Sequence, residues 1–331
     1  MIITRTPFRM SFFGGGTDYP AWFTENGGKV LATTIDKYCY ISVRELPPFF
    51  EHKTRIVYSK IESVNNVEEI VHPAVKATLD YQSCHKGLEI HHDGDLPAKS
   101  GLGSSSSFTV GLIHALRALE GKISSKELLA KDAIHIEQNI ISENVGSQDQ
   151  ISAAYGGFNK IQFHQNGTFD VEQVILPPNR LEELSSHLMM FFTGFTRFAS
   201  EIAGSQIQNI KNKSKELNIM GDMVDQAVDI LQDEQIPLTE FGQLLDKSWN
   251  YKRSLSDLIT TSEIDLIYAK AKKGGAIGGK ILGAGGGGFI LLFVSPDKQE
   301  SVYKALNELI HVPFEFDNSG SRIVLYQPTG L

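Results

Sequence analysis

Residues 97–107 read PAKSGLGSSSS. Two glycines flank Leu102, and four serines run straight into an apolar series. Phe108, Leu112, Ile113, Leu116 and Leu119 recur at three- and four-residue spacing, which is the period of a helix. The segment just ahead, GLEIHHDGDLP (87–97), reads as a strand by alternation and residue type. The context is therefore strand, loop, helix. The first N–H groups of a helix have no internal partner and the dipole there is positive, so an anion is the natural guest. Gly101 and Gly103 let the backbone approach phosphates closely, and the serines add hydroxyls for phosphate or magnesium. One serine would suffice as an N-cap; four after GxG point to phosphate. The predicted phosphate-binding set is Lys99, Ser100, Gly101, Leu102, Gly103, Ser104, Ser105 and Ser106.

Two other glycine-rich stretches imitate nucleotide motifs. GAGGGG (283–288) matches GxGxxG, but FILLFV follows it, a strand where a dinucleotide fingerprint needs a helix. GGAIGGKI (274–281) nearly matches a P-loop, but no Ser or Thr follows Lys280 and no buried strand precedes it. What KILGAGGGGFI (280–290) does supply is bare backbone between two extended segments, suited either to a hairpin connection or to a ligand's close approach. A third cluster, PFRMSFFGGGTDYP (7–20), sets three glycines before a Thr and an Asp, where packing and chain entropy gain nothing from them.

Bulk properties narrow the class. The 331 residues suffice for two domains, and 41% hydrophobic with 21% charged residues is ordinary globular composition. A net charge of −8 argues against a nucleic-acid binder with a broad basic face, while leaving room for a local basic pocket. Cys39 and Cys84 are the only cysteines, which predicts neither a disulfide framework nor a structural zinc site. MIITRTPFRM lacks the pattern of a signal peptide, and no run of eighteen apolar residues exists. The prediction is a cytoplasmic protein without membrane contact.

Along the chain, strands are expected at KVLATTIDKYCYISVREL (29–46) and TRIVYSK (54–60), and a helix through KELLAKDAIHIEQNII (126–141). HLMMFFTGF (187–195) reads as a short strand. Long helical segments cover 201–217, 220–232 and 241–258, and strand GGFILLFV (287–294) precedes helix PDKQESVYKALNELI (296–310). PFEFD (313–317) and RIVLY (322–326) read as terminal strands. The composition shift at LPPNRLEELSS (176–186) predicts domains at 1–184 and 185–331.

Taken in order, the three glycine-rich loops resemble the galactokinase, homoserine kinase, mevalonate kinase and phosphomevalonate kinase superfamily, the GHMP kinases. PFRMSFFGGGTDYP resembles the first motif, PAKSGLGSSSS the phosphate loop and KILGAGGGGFI the third motif, and the resemblance covers nearly the whole chain. It implies an α+β protein of two domains: an N-terminal α/β domain related to a ribosomal-protein fold and a C-terminal ferredoxin-like domain, with the active site between them. It also implies ATP and Mg²⁺. Galactokinases read roughly GEHTDY where this chain has GGGTDY, and the wording is most similar to bacterial D-glycero-D-manno-heptose 7-phosphate kinases, which phosphorylate the anomeric hydroxyl. A kinase for a neutral sugar such as fucose or galactose shares much of the pattern. A non-catalytic sugar- and nucleotide-binding regulator uses the same fold.

The resemblance implies roles for individual residues. Asp149, in NVGSQDQISAAYGG (144–157), matches the aspartate that takes the sugar hydroxyl proton; from the residues alone it is equally a helix-capping Asp. Arg9 matches the first motif's basic position and would offset charge at the carboxylate and on the transferring phosphoryl group. Magnesium falls to Ser105 and Glu137, with Glu143 as competitor. Gly14, Gly15, Gly16, Thr17 and Asp18 become the sugar floor, with Gly285 and Gly286 approaching from the third motif. Gly15 replaces a glutamate that in galactokinases meets the hexose primary hydroxyl, so a phosphate at that end of the substrate would meet neither charge nor bulk. Lys37, Lys160, Arg197 and Arg322 stand unranked as cations for that distal phosphate.

Overall fold

The computed structural model describes residues 1–84, 86–98, 100–194 and 199–328. Its first part runs β1 (Ile2–Phe13), α1 (Pro20–Asn26), β2 (Gly28–Glu45), β3 (Thr54–Val57), β4 (Ile61–Val64), α2 (Pro73–Tyr81), β5 (Leu88–Gly94), α3 (Ser104–Leu119), α4 (Lys126–Ile134), α5 (Gln148–Tyr155), β6 (Asn159–Phe163), β7 (Phe169–Gln173) and α6 (Pro178–Ser186). The second part runs β8 (Leu188–Phe192), α7 (Ala199–Asn209), α8 (Ser214–Gln232), α9 (Thr239–Arg253), α10 (Ser262–Gly274), β9 (Ala276–Ile281), β10 (Phe289–Val294), α11 (Gln299–Ala305), β11 (Ile310–His311), β12 (Phe316–Asp317) and β13 (Arg322–Tyr326).

Two sheets organise these elements. The larger is ordered β13-β1-β2-β5-β3-β4, and the long β2 also pairs β6 along its first half and β12 at its middle. The smaller sheet is ordered β11-β8-β10-β9, with every pairing antiparallel. With helices after β8 and β10 and a hairpin between β9 and β10, this is the ferredoxin-like β-α-β-β-α-β arrangement. No helix among the described residues is long and apolar enough to cross a membrane.

Helix α3 lies between two apolar layers. Phe108, Leu112 and Leu116 face one core, and Val110 and Ile113 face the other. Its approach to the sheet is close at Gly111, whose carbonyl accepts a hydrogen bond from Thr4 Oγ1 and where a Cβ would come within 2.9 Å of Thr6 Oγ1. That contact fixes the middle of α3 against the first half of β1.

The two sheets meet at the end of β1. Phe12 and Phe13 both pack edge-on against Phe241 of α9, with ring centroids 5.6 and 5.1 Å apart. Lys280 Nζ, from β9, donates to the Phe12 carbonyl at 2.9 Å. The first glycine-rich motif therefore begins at the seam between the two halves.

The expected break near residue 184 falls within α6, just ahead of β8. The chain does not stay in the second half from there on. β12 pairs with β2 and β13 with β1, so PFEFD and RIVLY return to the first sheet. Their alternation shows that they are strands but carries no information on which edge they join. The helix expected over 296–310 is shorter, occupying Gln299–Ala305 after a single 3₁₀ turn.

Candidate active site

Arg9 and Asp149 form the centre of the site. Arg9 sits in the middle of β1, and Asp149 is in the first turn of α5. Arg9 Nε donates to Asp149 Oδ1 at 2.7 Å and Nη2 donates to Oδ2 at 2.9 Å, the parallel fork that only arginine offers a carboxylate. Its third nitrogen, Nη1, donates to the Gly101 carbonyl at 2.6 Å. The Arg9 backbone N–H donates to Leu102 O at 3.0 Å. One residue thus ties β1, the phosphate loop and α5 together.

The phosphate loop is shaped by those contacts. Gly103 is the N-cap of α3 with φ +72°, and no side chain caps the helix there. A Cβ on Gly103 would lie 3.2 Å from Arg9 Cγ and 3.4 Å from Asp149 Oδ2. Gly101 is bare because a Cβ would lie 2.3 Å from Leu282 O, and Gly283 because a Cβ would lie 2.5 Å from Gly101 Cα. The third glycine motif therefore backs the phosphate loop, reinforced by Phe289 N–H donating to Ser100 O. Gly285 and Gly286 face Ile259: a Cβ on Gly285 would meet the Ile259 carbonyl at 2.6 Å, and Gly286 N–H donates to that same carbonyl. Lys99 lies outside the described residues.

Glu137 lies on a π-helical stretch, His135–Ile140, that continues α4. Such wide turns rotate a side chain out of the α register and recur at functional sites. The Glu137 carboxylate is buried and accepts hydrogen bonds at Oε2 from Ser106 Oγ (2.8 Å) and Gln150 Nε2. Burial pushes its pKa up to about 7. Ser106, not Ser105, is thus the serine that meets Glu137; Ser105 is exposed. Consecutive residues on a helix point about 100° apart, so only some of the four serines on α3's first turn can face α4, and the sequence alone does not say which. Glu143 is half-buried, and its backbone N–H donates to the Glu137 carbonyl.

The glycine floor divides by cause. Gly14 and Gly16 have φ of +80° and +112°, and a Cβ on Gly14 would lie 1.9 Å from Lys29 O, so chain geometry explains both. The Thr17 hydroxyl is taken up within the protein, lying 2.8 Å from both Gly14 O and Lys29 O. Asp18 is buried; its Oδ1 accepts from Gly16 N–H and its Oδ2 from Gln148 Nε2, each at 2.9 Å. Burial, and to a smaller extent Asp149, raises its pKa. Gly15 is different. A Cβ there would fit without a clash, 3.7–3.8 Å from Gln148 Nε2, Ser11 Oγ and Lys252 Nζ, three polar groups.

Lys252 and Lys280 escape sequence reasoning. Lys252 lies on the buried stripe of α9 formed with Phe241, Leu245, Ser248 and Trp249, so a lysine in register with core positions was the available signal. Its Nζ donates to Gly283 O, and its pKa is lowered to about 8 by burial first and by Arg9 next. Lys280 is held well below the usual lysine range by burial, then by Lys252 and Arg9. The cations expected for a distal phosphate are engaged elsewhere: Lys160 pairs with Asp225 and Lys37 with Asp36, while Arg322 is exposed on β13. Arg197 lies outside the described residues.

Unpartnered groups concentrate here. Among the described residues, buried side-chain atoms lacking a hydrogen-bond partner include Ser11 Oγ, Ser100 Oγ, Glu137 Oε1, Gln148 Oε1 and Gln150 Oε1. Buried polar groups are almost always satisfied, so a cluster of orphans marks where a polar ligand belongs. Glu137 Oε1 beside Ser106, both hard oxygen donors at the N-terminal end of α3, would fit a magnesium ion.

Known proteins show the same organisation. The GHMP kinases N terminal domain matches residues 67–157, and the GHMP kinases C terminal domain matches 234–311. A D-glycero-alpha-D-manno-heptose 7-phosphate kinase of Campylobacter jejuni is 31% identical over 327 residues, covering 93% of both chains. A mevalonate kinase of Thermococcus sibiricus is 28% identical over 246 residues, covering 71% of this chain and 68% of its own. The crystal structure of a D-glycero-D-manno-heptose 1-phosphate kinase from Bacteroides thetaiotaomicron superposes with a TM-score of 0.79 at 24% identity, covering 97% of this chain and 98% of its own. With both domains matched in order and a relative 31% identical over 93% of both chains, the chain belongs to the GHMP kinases.

Proposed function

We propose that this protein is an ATP-dependent sugar kinase that phosphorylates the anomeric hydroxyl of D-glycero-D-manno-heptose 7-phosphate, giving the 1,7-bisphosphate and ADP. The observation that carries this is the placement of Asp149. Its carboxylate lies where a Cβ on Gly103 of the phosphate loop would meet it, at 3.4 Å, and its neighbour Gln148 donates to Asp18 of the glycine floor at 2.9 Å and faces the bare side of Gly15. A donor phosphate at α3 and a sugar at Gly15 would therefore meet at Asp149.

The chemistry follows from that placement. The uncapped first turn of α3 binds the ATP phosphates through backbone N–H groups and Ser hydroxyls. The anomeric oxygen attacks the γ-phosphorus, the bond from phosphorus to the bridging oxygen breaks, and ADP leaves. The transition state is loose, so the hydroxyl proton moves late to Asp149. Arg9 fixes that carboxylate with two bonds and leaves guanidinium N–H groups free for phosphoryl oxygens. Ser106 and Glu137 would hold magnesium, which when bound neutralises phosphate charge.

Support for the heptose phosphate comes from the Campylobacter jejuni relative and from bare Gly15 beside Lys252. ADP release measured across a panel of sugars and sugar phosphates tests it. Heptose 7-phosphate should give the highest kcat/KM. A preference for galactose or fucose would replace this substrate with a neutral sugar, and ligand binding without ADP release would replace the enzyme with a regulator.

A further inference from the structure

The buried charges of the site do not balance within the protein. Arg9 and Asp149 neutralise each other. Asp18 is bonded by neutral donors, Gly16 N–H and the Gln148 amide. Lys252 and Lys280 set two ammonium groups against that one carboxylate, which acts on both. Both are at least nine-tenths buried, each donates to a backbone carbonyl, and neither pairs with a carboxylate among the described residues. A buried ammonium without a counter-ion is costly, and an anionic ligand is the group that relieves it.

Geometry says where the anion sits. The three groups around the missing Gly15 side chain are the Lys252 ammonium, the Gln148 amide and the Ser11 hydroxyl, and Ser11 Oγ has no partner. The phosphate loop meets Asp149 from the other side, at Gly103. Gln148 and Asp149 are consecutive on α5, so their side chains diverge by about 100° around the helix. Gln148 Nε2 lies on the Gly15 side of that pair, and Lys252 Nζ spans from the Gly15 notch to the Gly283 carbonyl of the third glycine motif.

We infer that the notch over Gly15, walled by Lys252, Gln148 and Ser11, is an anion site that holds the distal phosphate of the sugar substrate. This rests on the sugar-phosphate kinase reading above and adds the residues that select the phosphorylated substrate. Lys252 supplies the charge, Ser11 and Gln148 supply hydrogen bonds, and the absent side chain at residue 15 supplies the space. A carboxylate at residue 15 would fill the notch and neutralise Lys252.

The test is steady-state kinetics of Lys252→Met, Lys252→Arg and Gly15→Glu on heptose 7-phosphate and on the same heptose without its phosphate. Melting temperature and ADP affinity by calorimetry are measured alongside. Lys252→Met and Gly15→Glu should raise KM for the sugar phosphate about tenfold or more, since hydrogen bonds to charged groups are worth that much. KM for the unphosphorylated heptose should rise several-fold less than KM for the sugar phosphate, ADP affinity should stay within about threefold, and Lys252→Arg should recover part of the loss. Equal losses on both sugars, or a loss of ADP affinity in a variant that still melts as the wild type does, would assign Lys252 to the nucleotide and overturn the inference. Unchanged kinetics would overturn it as well. A wild type that fails to turn over heptose 7-phosphate is a separate outcome, which refutes the proposed substrate itself.

Discussion

Arg9 grips Asp149 by two parallel hydrogen bonds, 2.7 and 2.9 Å long, and with its remaining nitrogen holds the Gly101 carbonyl of the phosphate loop. The proposed proton acceptor and the nucleotide-binding loop are therefore positioned by the same side chain. Displacing either one is felt by the other.

Asp149→Asn keeps the shape of the acid and removes its charge. Turnover should fall by about two to four powers of ten, the usual range for a lost general base. ADP affinity should remain within a few-fold, because the phosphate loop keeps its Gly101 contact with Arg9. Rapid-quench measurement of the chemical step decides the matter, and near-wild-type rates would remove Asp149 from proton transfer.

Gly103→Val places a β-branched side chain at φ +72°, a conformation that costs L residues roughly 1–2 kcal/mol, and pushes against Arg9 and Asp149. Nucleotide affinity and kcat should both drop, with a lower melting temperature. Calorimetric titration with ADP is the readout. Unchanged affinity would mean that nucleotide phosphates do not approach this loop.

Ser106→Ala and Glu137→Gln should each raise the magnesium concentration needed for half-maximal rate, and Ser105→Ala should be close to silent. Ser106 donates to the buried Glu137 carboxylate, whereas Ser105 is exposed. Rate against magnesium at fixed ATP separates them. A response at Ser105 with none at Ser106 would contradict the pairing seen here.

Lys252, with a pKa lowered to about 8, predicts a basic limb in kcat/KM for the sugar phosphate. The ammonium form, present below that pKa, is the one that binds an anion, so kcat/KM falls as pH rises through about 8. The groups acting on Lys252 are Arg9 and Lys280, which disfavour its charge, and Asp18 and Asp149, which favour it. In the complex a bound phosphate favours the ammonium, so the limb in kcat should lie higher. Lys252→Arg should flatten the limb. A pH profile of Lys252→Arg that matches the wild type would assign the limb to another group.

Much of this was legible in local sequence. The change of period after SGLGSSSS marked α3, and three glycine-rich loops in order marked the two-domain architecture. The β9–β10 hairpin around Gly283–Gly288 followed from the strand after those glycines. Long-range pairing was not legible. The return of β12 and β13 to the first sheet depends on contacts some three hundred residues apart, and Ser106 meets Glu137 only because α4 loosens into a π turn. The glycines misled in part. Gly14, Gly16, Gly283 and Gly285 are bare because backbone or core atoms crowd them, whereas a side chain at Gly15 would meet polar groups without a clash. Lys252 carried a signal in its register with the core positions of α9, whereas Lys280 was hidden because a buried lysine in a strand looks like any other lysine until the fold brings it to a site.

The most direct test of the central claim is the phosphorus NMR spectrum of the product made from heptose 7-phosphate and ATP. The expected products are ADP and a sugar bisphosphate whose new resonance couples to the anomeric proton, formed by the wild type and about a hundredfold or more slowly by Asp149→Asn. A new phosphate coupled to any other sugar proton, or no transfer while both ligands bind, would contradict it.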